Sequence, residues 1–158
     1  MDHPVHKITG NRLRVRACGL LTDKEGIILI NHKGLYSHDF WAPPGGGINF
    51  QESVTNCLIR EFKEETGLAI EVQDYIFSTE FIKSPLHAIE LFFMVRQVGG
   101  ILMSGHDPEF KDVKDYSIEV RKMKWNEIKS LKKGELHGAF HLAGSPEEIM
   151  DLRGYLIL

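Results

Sequence analysis

Apolar and polar residues alternate over positions 13–20, where Leu13, Val15, Ala17 and Gly19 interleave with Arg14, Arg16, Cys18 and Leu20. A period of two predicts a β-strand. Thr22-Asp23-Lys24-Glu25-Gly26 reads as a hairpin loop with glycine at a positive-φ position, and 27–31 as the return strand. A polar loop follows at 33–40. The spacing then becomes helical, with Val54, Cys57 and Leu58 on one face and Gly67 placed as the left-handed residue after the last turn. Positions 70–83 are apolar and β-branched enough for one strand or two, broken near Ser84-Pro85. Positions 87–95 predict a buried strand that Gly99-Gly100 ends. After a polar loop at 104–115, alternation at 118–125 predicts an edge strand. A helix is expected at 126–131 with Asn126 as its N-cap. Ser145-Pro146-Glu147-Glu148 opens another that runs to about Arg153. With no repeat and no low-complexity linker, residues 1–158 read as a single domain.

The helix that ends at Gly67 changes character along its length. Glu61 and Glu65 fall on the face that carries Val54, Cys57 and Leu58, with Glu64 beside them. A surface helix normally sets its acids opposite the apolar stripe; here the acids continue it. Like charges at these spacings cost about 0.2–0.5 kcal/mol each. Carboxylates in the last turn also meet the negative end of the helix dipole. Arg60 can offset part of this by pairing with Glu64, but one arginine does not neutralise the cluster. A hard divalent ion such as Mg²⁺ or Mn²⁺ would. The plain alternative is a solvated acidic helix end.

From Gly46 to Leu68 the chain resembles the signature of the Nudix (MutT-like) hydrolases, G-x5-E-x7-R-E-U-x-E-E-x-G-U, where U is a bulky apolar residue. Gly46, Glu52, Arg60, Glu61, Phe62, Glu64, Glu65, Gly67 and Leu68 fill its fixed positions. Trp41-Ala42-Pro43-Pro44-Gly45 resembles the family's lead-in. Many members carry glycine just before the first glutamate of the signature, where this chain has Gln51. The resemblance implies an α/β fold, the Nudix-type α/β/α sandwich with a mixed β-sheet. It also implies metal-dependent hydrolysis of a diphosphate linkage in a nucleoside diphosphate joined to another group: a nucleoside triphosphate, a nucleotide sugar or ADP-ribose. By resemblance the metal ligands are Glu61, Glu64, Glu65 and the carbonyl of Gly45, with Mg²⁺ or Mn²⁺ as cofactor. Arg60 would orient the carboxylates and Glu52 would support the metal shell. A carboxylate outside the signature acts as base or ligand in many members. Glu109 and Asp107 are the first choices here, and Glu80 and Glu90 the alternatives. A non-catalytic nucleotide-sensing module on the same fold, or an isomerase of isopentenyl diphosphate type, is the competing reading. Both usually carry a degraded signature, whereas this one is intact.

Arg14 and Arg16 share one side of the first strand and are candidates to clamp phosphate, with a solvated strand face as the alternative. Tyr36, Phe40 or Trp41 could stack on a base; Trp41 fits the core better. The net charge of −3 argues against a general nucleic-acid binder and leaves a small anionic nucleotide as the expected partner. A hydrophobic content of 42% and a charged content of 26% are ordinary for a globular chain, and a homodimer is compatible with the build. Cys18 and Cys57 make no CxxC pair and read as reduced, buried thiols. The opening Met1-Asp2-His3-Pro4 has no apolar h-region, so a cytoplasmic, membrane-free protein is expected. Gly45-Gly46-Gly47 lacks the GK[ST] of a P-loop and reads as a tight turn. His137 and His141 lack the third partner and the glutamate of a zinc pair. The basic residues of 111–133 interleave with acids, as on a solvated face.

Overall fold

The alternation at 13–20 becomes β1 (Arg12–Leu20), the strand against which both the signature loop and the long central hairpin are laid. The computed structural model describes residues 4–158. Met1 to His3, on which the reading of the N-terminus partly rests, lie outside the described residues. A short helix α1 (Pro4–Thr9) precedes β1. Next come β2 (Thr22–Asp23), β3 (Gly26–Lys33), β4 (Trp41–Ala42), β5 (Gly45–Gly47) and α2 (Val54–Thr66). The hairpin β6 (Leu68–Lys83) and β7 (Leu86–Gly100) leads to β8 (Ser117–Met123), α3 (Trp125–Ser130), α4 (Pro146–Asp151) and β9 (Gly154–Ile157).

The larger sheet runs β5-β1-β7-β6-β9. It is mixed: β1 and β7 are parallel, as are β6 and β9, while β5 and β6 run antiparallel to β1 and β7. In the smaller sheet β3 pairs with β2, β4 and β8, all antiparallel. Among the described residues strand β8 pairs only with β3, the edge position its alternation predicts. Successive side chains of β1 reach opposite layers, as the pleat requires. Ala17 joins Cys57, Leu58 and Phe62 of α2 in one core, together with Ile70 and Val95. Cys18 and Leu20 join the other, where Phe77 and Phe92 meet Ile128 of α3, Phe140, and Ile149 of α4. Helices therefore cover both faces of a mixed sheet, and the α/β/α sandwich holds.

Several local expectations change. Gly45-Gly46-Gly47 is not a tight turn but β5, paired antiparallel with Arg16 to Cys18. Asn126 is not the N-cap: α3 begins at Trp125, and the Glu127 carboxylate accepts from the Lys124 backbone N–H at 2.7 Å, fixing the start. Residues 70–83 form one strand whose register against β7 shifts around Tyr75. The last helix keeps its Ser145 cap, which accepts from the Glu148 N–H at 3.1 Å. It ends at Asp151, however, because Gly154, at φ 86°, starts β9. Among the described residues no helix is long and apolar enough to cross a membrane.

Candidate active site

Helix α2 is capped as its sequence predicts. The Ser53 hydroxyl accepts from the Asn56 N–H at 3.1 Å, and Gly67, at φ 73°, donates to the Lys63 carbonyl. Its buried side consists of Cys57, Leu58, Glu61, Phe62, Glu65 and Thr66. Glu61 is 4% exposed and Glu65 is fully buried. Strand β5 explains how carboxylates can lie there. A Cβ at position 46 would stand 2.3 Å from the Glu61 Oε1, so only glycine lets the strand approach the carboxylate so closely. The backbone N–H of Gly45 donates to Glu65 Oε2 at 2.9 Å.

Arg60 ties the acids together. Its Nε and Nη2 donate to the two oxygens of Glu52 at 2.8 and 2.9 Å, a bidentate pair. Its Nη1 donates to Glu61 at 2.6 Å and to Glu64 at 3.3 Å, and Nη2 also reaches the Gly47 carbonyl at 3.3 Å. The hydrogen bonds from Arg60 hold the Glu52 carboxyl at about 2. Glu61 goes the other way: burial, and then the charge of Glu65, push it up to about 8. Burial also raises Glu65 well above the carboxylate range. Each keeps one buried oxygen without a hydrogen-bond partner, Oε2 of Glu61 and Oε1 of Glu65. Buried acceptors left this way are costly. Unpartnered carboxylate oxygens are the donors a hard divalent cation takes, so the residues fit the ion that the signature implies.

The polar loop after β7 closes onto the end of this helix. The N–H groups of Met103, Gly105 and His106 donate to the carbonyls of Thr66, Glu65 and Glu64 at 2.9, 3.0 and 3.0 Å. These are carbonyls that a helix end leaves without partners. A Cβ at Gly105 would stand 1.7 Å from the Glu64 carbonyl oxygen, so this docking needs glycine. The loop thereby delivers Asp107 and Glu109 to the site. Both Glu109 oxygens accept from Arg14 Nη2, at 2.9 and 2.8 Å. Asp107 is buried beside His32 of β3 and Glu65.

Arg16 is engaged elsewhere. It donates to Glu90 at 2.9 Å and to the Gly45 carbonyl at 3.3 Å, the carbonyl expected to face the metal. Glu90 also accepts from His137 Nε2 at 2.6 Å and from the Thr79 hydroxyl at 3.2 Å. Burial alone would raise the Glu90 carboxyl; its donors outweigh that and hold it at about 2. Glu90 is therefore a buried anchor for Arg16. Glu80 is paired with His87 and Tyr155. His137 is hydrogen-bonded to Glu90, while His141 is exposed. Both thiols are buried, and burial pushes Cys57 up to about 12.

A cleft of about 640 Å³ opens between the end of α2, β1 and the docked loop. Arg14, Arg60, Glu61, Glu64, Asp107 and Glu109 supply its polar wall, and Leu13, Val15 and Phe50 its apolar one. Phe50 is 94% exposed. Tyr36 lies outside the lining, beside Phe40 at 5.7 Å between ring centroids, and Trp41 is core. Sequence reasoning missed Phe50, although an aromatic residue in a glycine-rich loop is a visible signal. It also missed His32, for which no local signal exists.

A NUDIX domain model matches residues 11–137. The chain is 32% identical over 91 residues to an ADP-ribose pyrophosphatase of Methanocaldococcus jannaschii, covering 56% of this chain and 54% of that protein. It is 36% identical over 56 residues to an 8-oxo-dGTP diphosphatase of Proteus vulgaris, covering 34% of this chain and 50% of that one. Against these two relatives the chain thus spans about half of their length. The crystal structure of a MutT NUDIX hydrolase from Burkholderia pseudomallei superposes with a TM-score of 0.66 at 19% identity, over 83% of this chain and 95% of that one. With the signature, the sandwich and the family model in agreement, the chain belongs to the Nudix family of MutT-like proteins.

Proposed function

We propose that the cleft hydrolyses a phosphoanhydride bond in a nucleoside diphosphate linked to a further group. The observation that carries this reading is two unpartnered buried carboxylate oxygens one helical turn apart, Glu61 Oε2 and Glu65 Oε1, with Glu61 lining a cleft that also holds Arg14. Glu61, Glu65 and the rim residue Glu64 would hold Mg²⁺ or Mn²⁺, with the Gly45 carbonyl, which has a second lone pair besides the one facing Arg16. A divalent ion there supplies positive charge against the phosphate oxygens and acidifies the attacking water.

The protein's own groups have separate tasks. Arg60 fixes Glu52, Glu61 and Glu64 in one arrangement, so no reorganisation is needed as charge develops. Arg14 is neutralised by Glu109 until an anionic phosphate competes for it. That exchange frees the Glu109 carboxylate to accept a proton from water. Phe50, Leu13 and Val15 offer an apolar surface to a base or sugar. A volume near 640 Å³ suits a nucleotide-sized ligand. The relatives named for ADP-ribose and 8-oxo-dGTP support a phosphoanhydride substrate without choosing between them.

The test is release of nucleoside monophosphate or phosphate from a panel of nucleoside triphosphates, nucleotide sugars and ADP-ribose, with and without Mg²⁺. One or more substrates should turn over only with metal, and Glu65→Gln should lower kcat by roughly 100-fold or more, since the ion contributes several kcal/mol. Metal-dependent nucleotide binding without turnover across the panel would instead make the protein a nucleotide sensor, and unchanged turnover in Glu65→Gln would reject the assignment.

A further inference from the structure

One set of ligand-bearing groups extends the acidic helix end in a direction that the signature does not reach. His32 of β3, Glu65 of α2 and Asp107 of the docked loop each place one ligand atom within 4.8 Å of the other two. Across an octahedral ion of the Mg²⁺ or Mn²⁺ type, opposite ligands stand about 4 Å apart. Side-chain shifts of less than about 1 Å would close such a set. Glu65 Oε1 is fully buried and makes no hydrogen bond; it lies 3.4 Å from His32 Nε2 without the alignment for one. A buried acceptor thus stands on the His32 side of the group and is left unsatisfied.

The imidazole is built as a ligand would be. Its Nδ1 lies 2.8 Å from the Tyr116 hydroxyl, and the two rings stack at 5.9 Å with an interplanar angle of 20°. Phe110 meets the ring edge-on at 6.0 Å. With Nδ1 occupied by Tyr116, Nε2 is the nitrogen that faces the carboxylates. Histidine ligands to metals commonly have their second nitrogen fixed in this way. The loop carboxylate is equally fixed: one Asp107 oxygen accepts from the Glu109 N–H at 2.8 Å, and the loop is fastened to the end of α2.

We propose that His32, Glu65 and Asp107 hold a divalent cation with one nitrogen and two carboxylate ligands, a donor set that favours a transition-metal ion such as Mn²⁺ over Mg²⁺. Oxygen-only sites accept Mg²⁺ readily, whereas imidazole shifts preference towards the first-row transition metals. The inference rests on the reading that Glu65 faces a cation and adds the ligand type on its far side.

Pulsed electron paramagnetic resonance of bound Mn²⁺ reads the nitrogen directly. The wild-type protein should show ¹⁴N modulation from imidazole, which His32→Gln should abolish while His141→Gln, at the surface, keeps it. Mn²⁺ affinity should fall by roughly 10-fold or more in His32→Gln, with Mg²⁺ affinity changed less. If His32→Gln does not fold, wild-type protein labelled with ¹⁵N only at histidine answers the same question, because an imidazole ligand then shows ¹⁵N in place of ¹⁴N coupling. Bound Mn²⁺ without histidine nitrogen coupling, or coupling that survives His32→Gln, overturns the proposal. Hydrolysis with Mg²⁺ is scored separately: it can persist when the nitrogen ligand is disproved, and nitrogen coupling can be found in a protein that hydrolyses nothing.

Discussion

Gln51 sits at φ 66°, a left-handed conformation that costs a side-chain-bearing residue about 1–2 kcal/mol. It occupies the position where Nudix relatives often carry glycine, immediately before Glu52. Gln51→Gly removes that cost but gives back about 0.5–1 kcal/mol of unfolded-state freedom. The net expectation is a stabilisation of about 0.5–1 kcal/mol, seen as a rise in Tm of about 2–4 °C per kcal/mol. A lower Tm would mean that the Gln51 side chain contributes more than its strain costs. The same residue marks how much of the site could be read from the chain. Glu61, Glu64, Glu65 and Arg60 were legible because their chemistry and spacing lie within one helix. Glu109 and Asp107 could be shortlisted only as acids in a polar loop, since what selects them is the docking of that loop onto α2. His32 was illegible: its approach to Glu65 depends on how β3 packs against a helix twenty positions further on, and no periodicity encodes that.

Helix α2 carries an opposition between burial and charge that can be measured. Burial and Glu65 push Glu61 up to about 8, so in the metal-free protein it binds its proton more tightly when folded than when unfolded. Stability from this source is fully present below the unfolded carboxyl value of about 4.3, declines as pH rises above it, and is gone once pH passes about 8. Burial holds His32 down to about 4, which acts in the opposite sense up to its unfolded value of about 6.5. Thermal melts without metal should therefore show Tm falling between about pH 6.5 and pH 8, and Glu61→Gln should reduce that slope to the part that Glu65 contributes. Added Mg²⁺ should raise Tm more at pH 8 than at pH 5, because the ion competes with the proton for the same oxygens. A metal-free Tm that rises over this window would contradict the assigned burial of Glu61. Elements with strong periodicity, β1, α2, β7 and β8, were legible from the sequence. Helix α1 and strand β9 were not, because each is short and held by tertiary contacts: Val5 of α1 packs with Leu35 and Phe110, and β9 exists through its parallel register with Phe77 to Glu80. Strand β5 was hidden because three glycines carry no pattern, and the reason for them is the approach of Glu61 and of β1.

At the scale of the whole molecule, one polar chain joins the outer helical layer to the active-site strand. The backbone N–H of Ala139 donates to His137 Nδ1 at 3.2 Å, which places the ring proton on Nε2, facing Glu90. Glu90 in turn holds Arg16, and Arg16 holds the carbonyl of Gly45 next to Glu65. His137 and Glu90 are buried and Arg16 is half-buried, so removing a donor weakens a carboxylate that water reaches poorly. His137→Ala should cost about 2–4 kcal/mol, from the lost ring volume and from a buried carboxylate oxygen left with only the Thr79 hydroxyl as donor, and lower Tm by about 2–4 °C per kcal/mol. His141→Ala, four residues on and exposed, should stay within about 0.5 kcal/mol of wild type. That contrast separates a buried hydrogen-bond anchor from a metal pair. If the two histidines bound a zinc ion together, both variants would be destabilised alike and a chelator would reproduce the effect on the wild-type protein. If His137 instead works through Glu90 and Arg16, a chelator leaves the difference between the two variants unchanged, and Glu90→Gln, which keeps the shape but weakens both of its charged contacts, should fall between them.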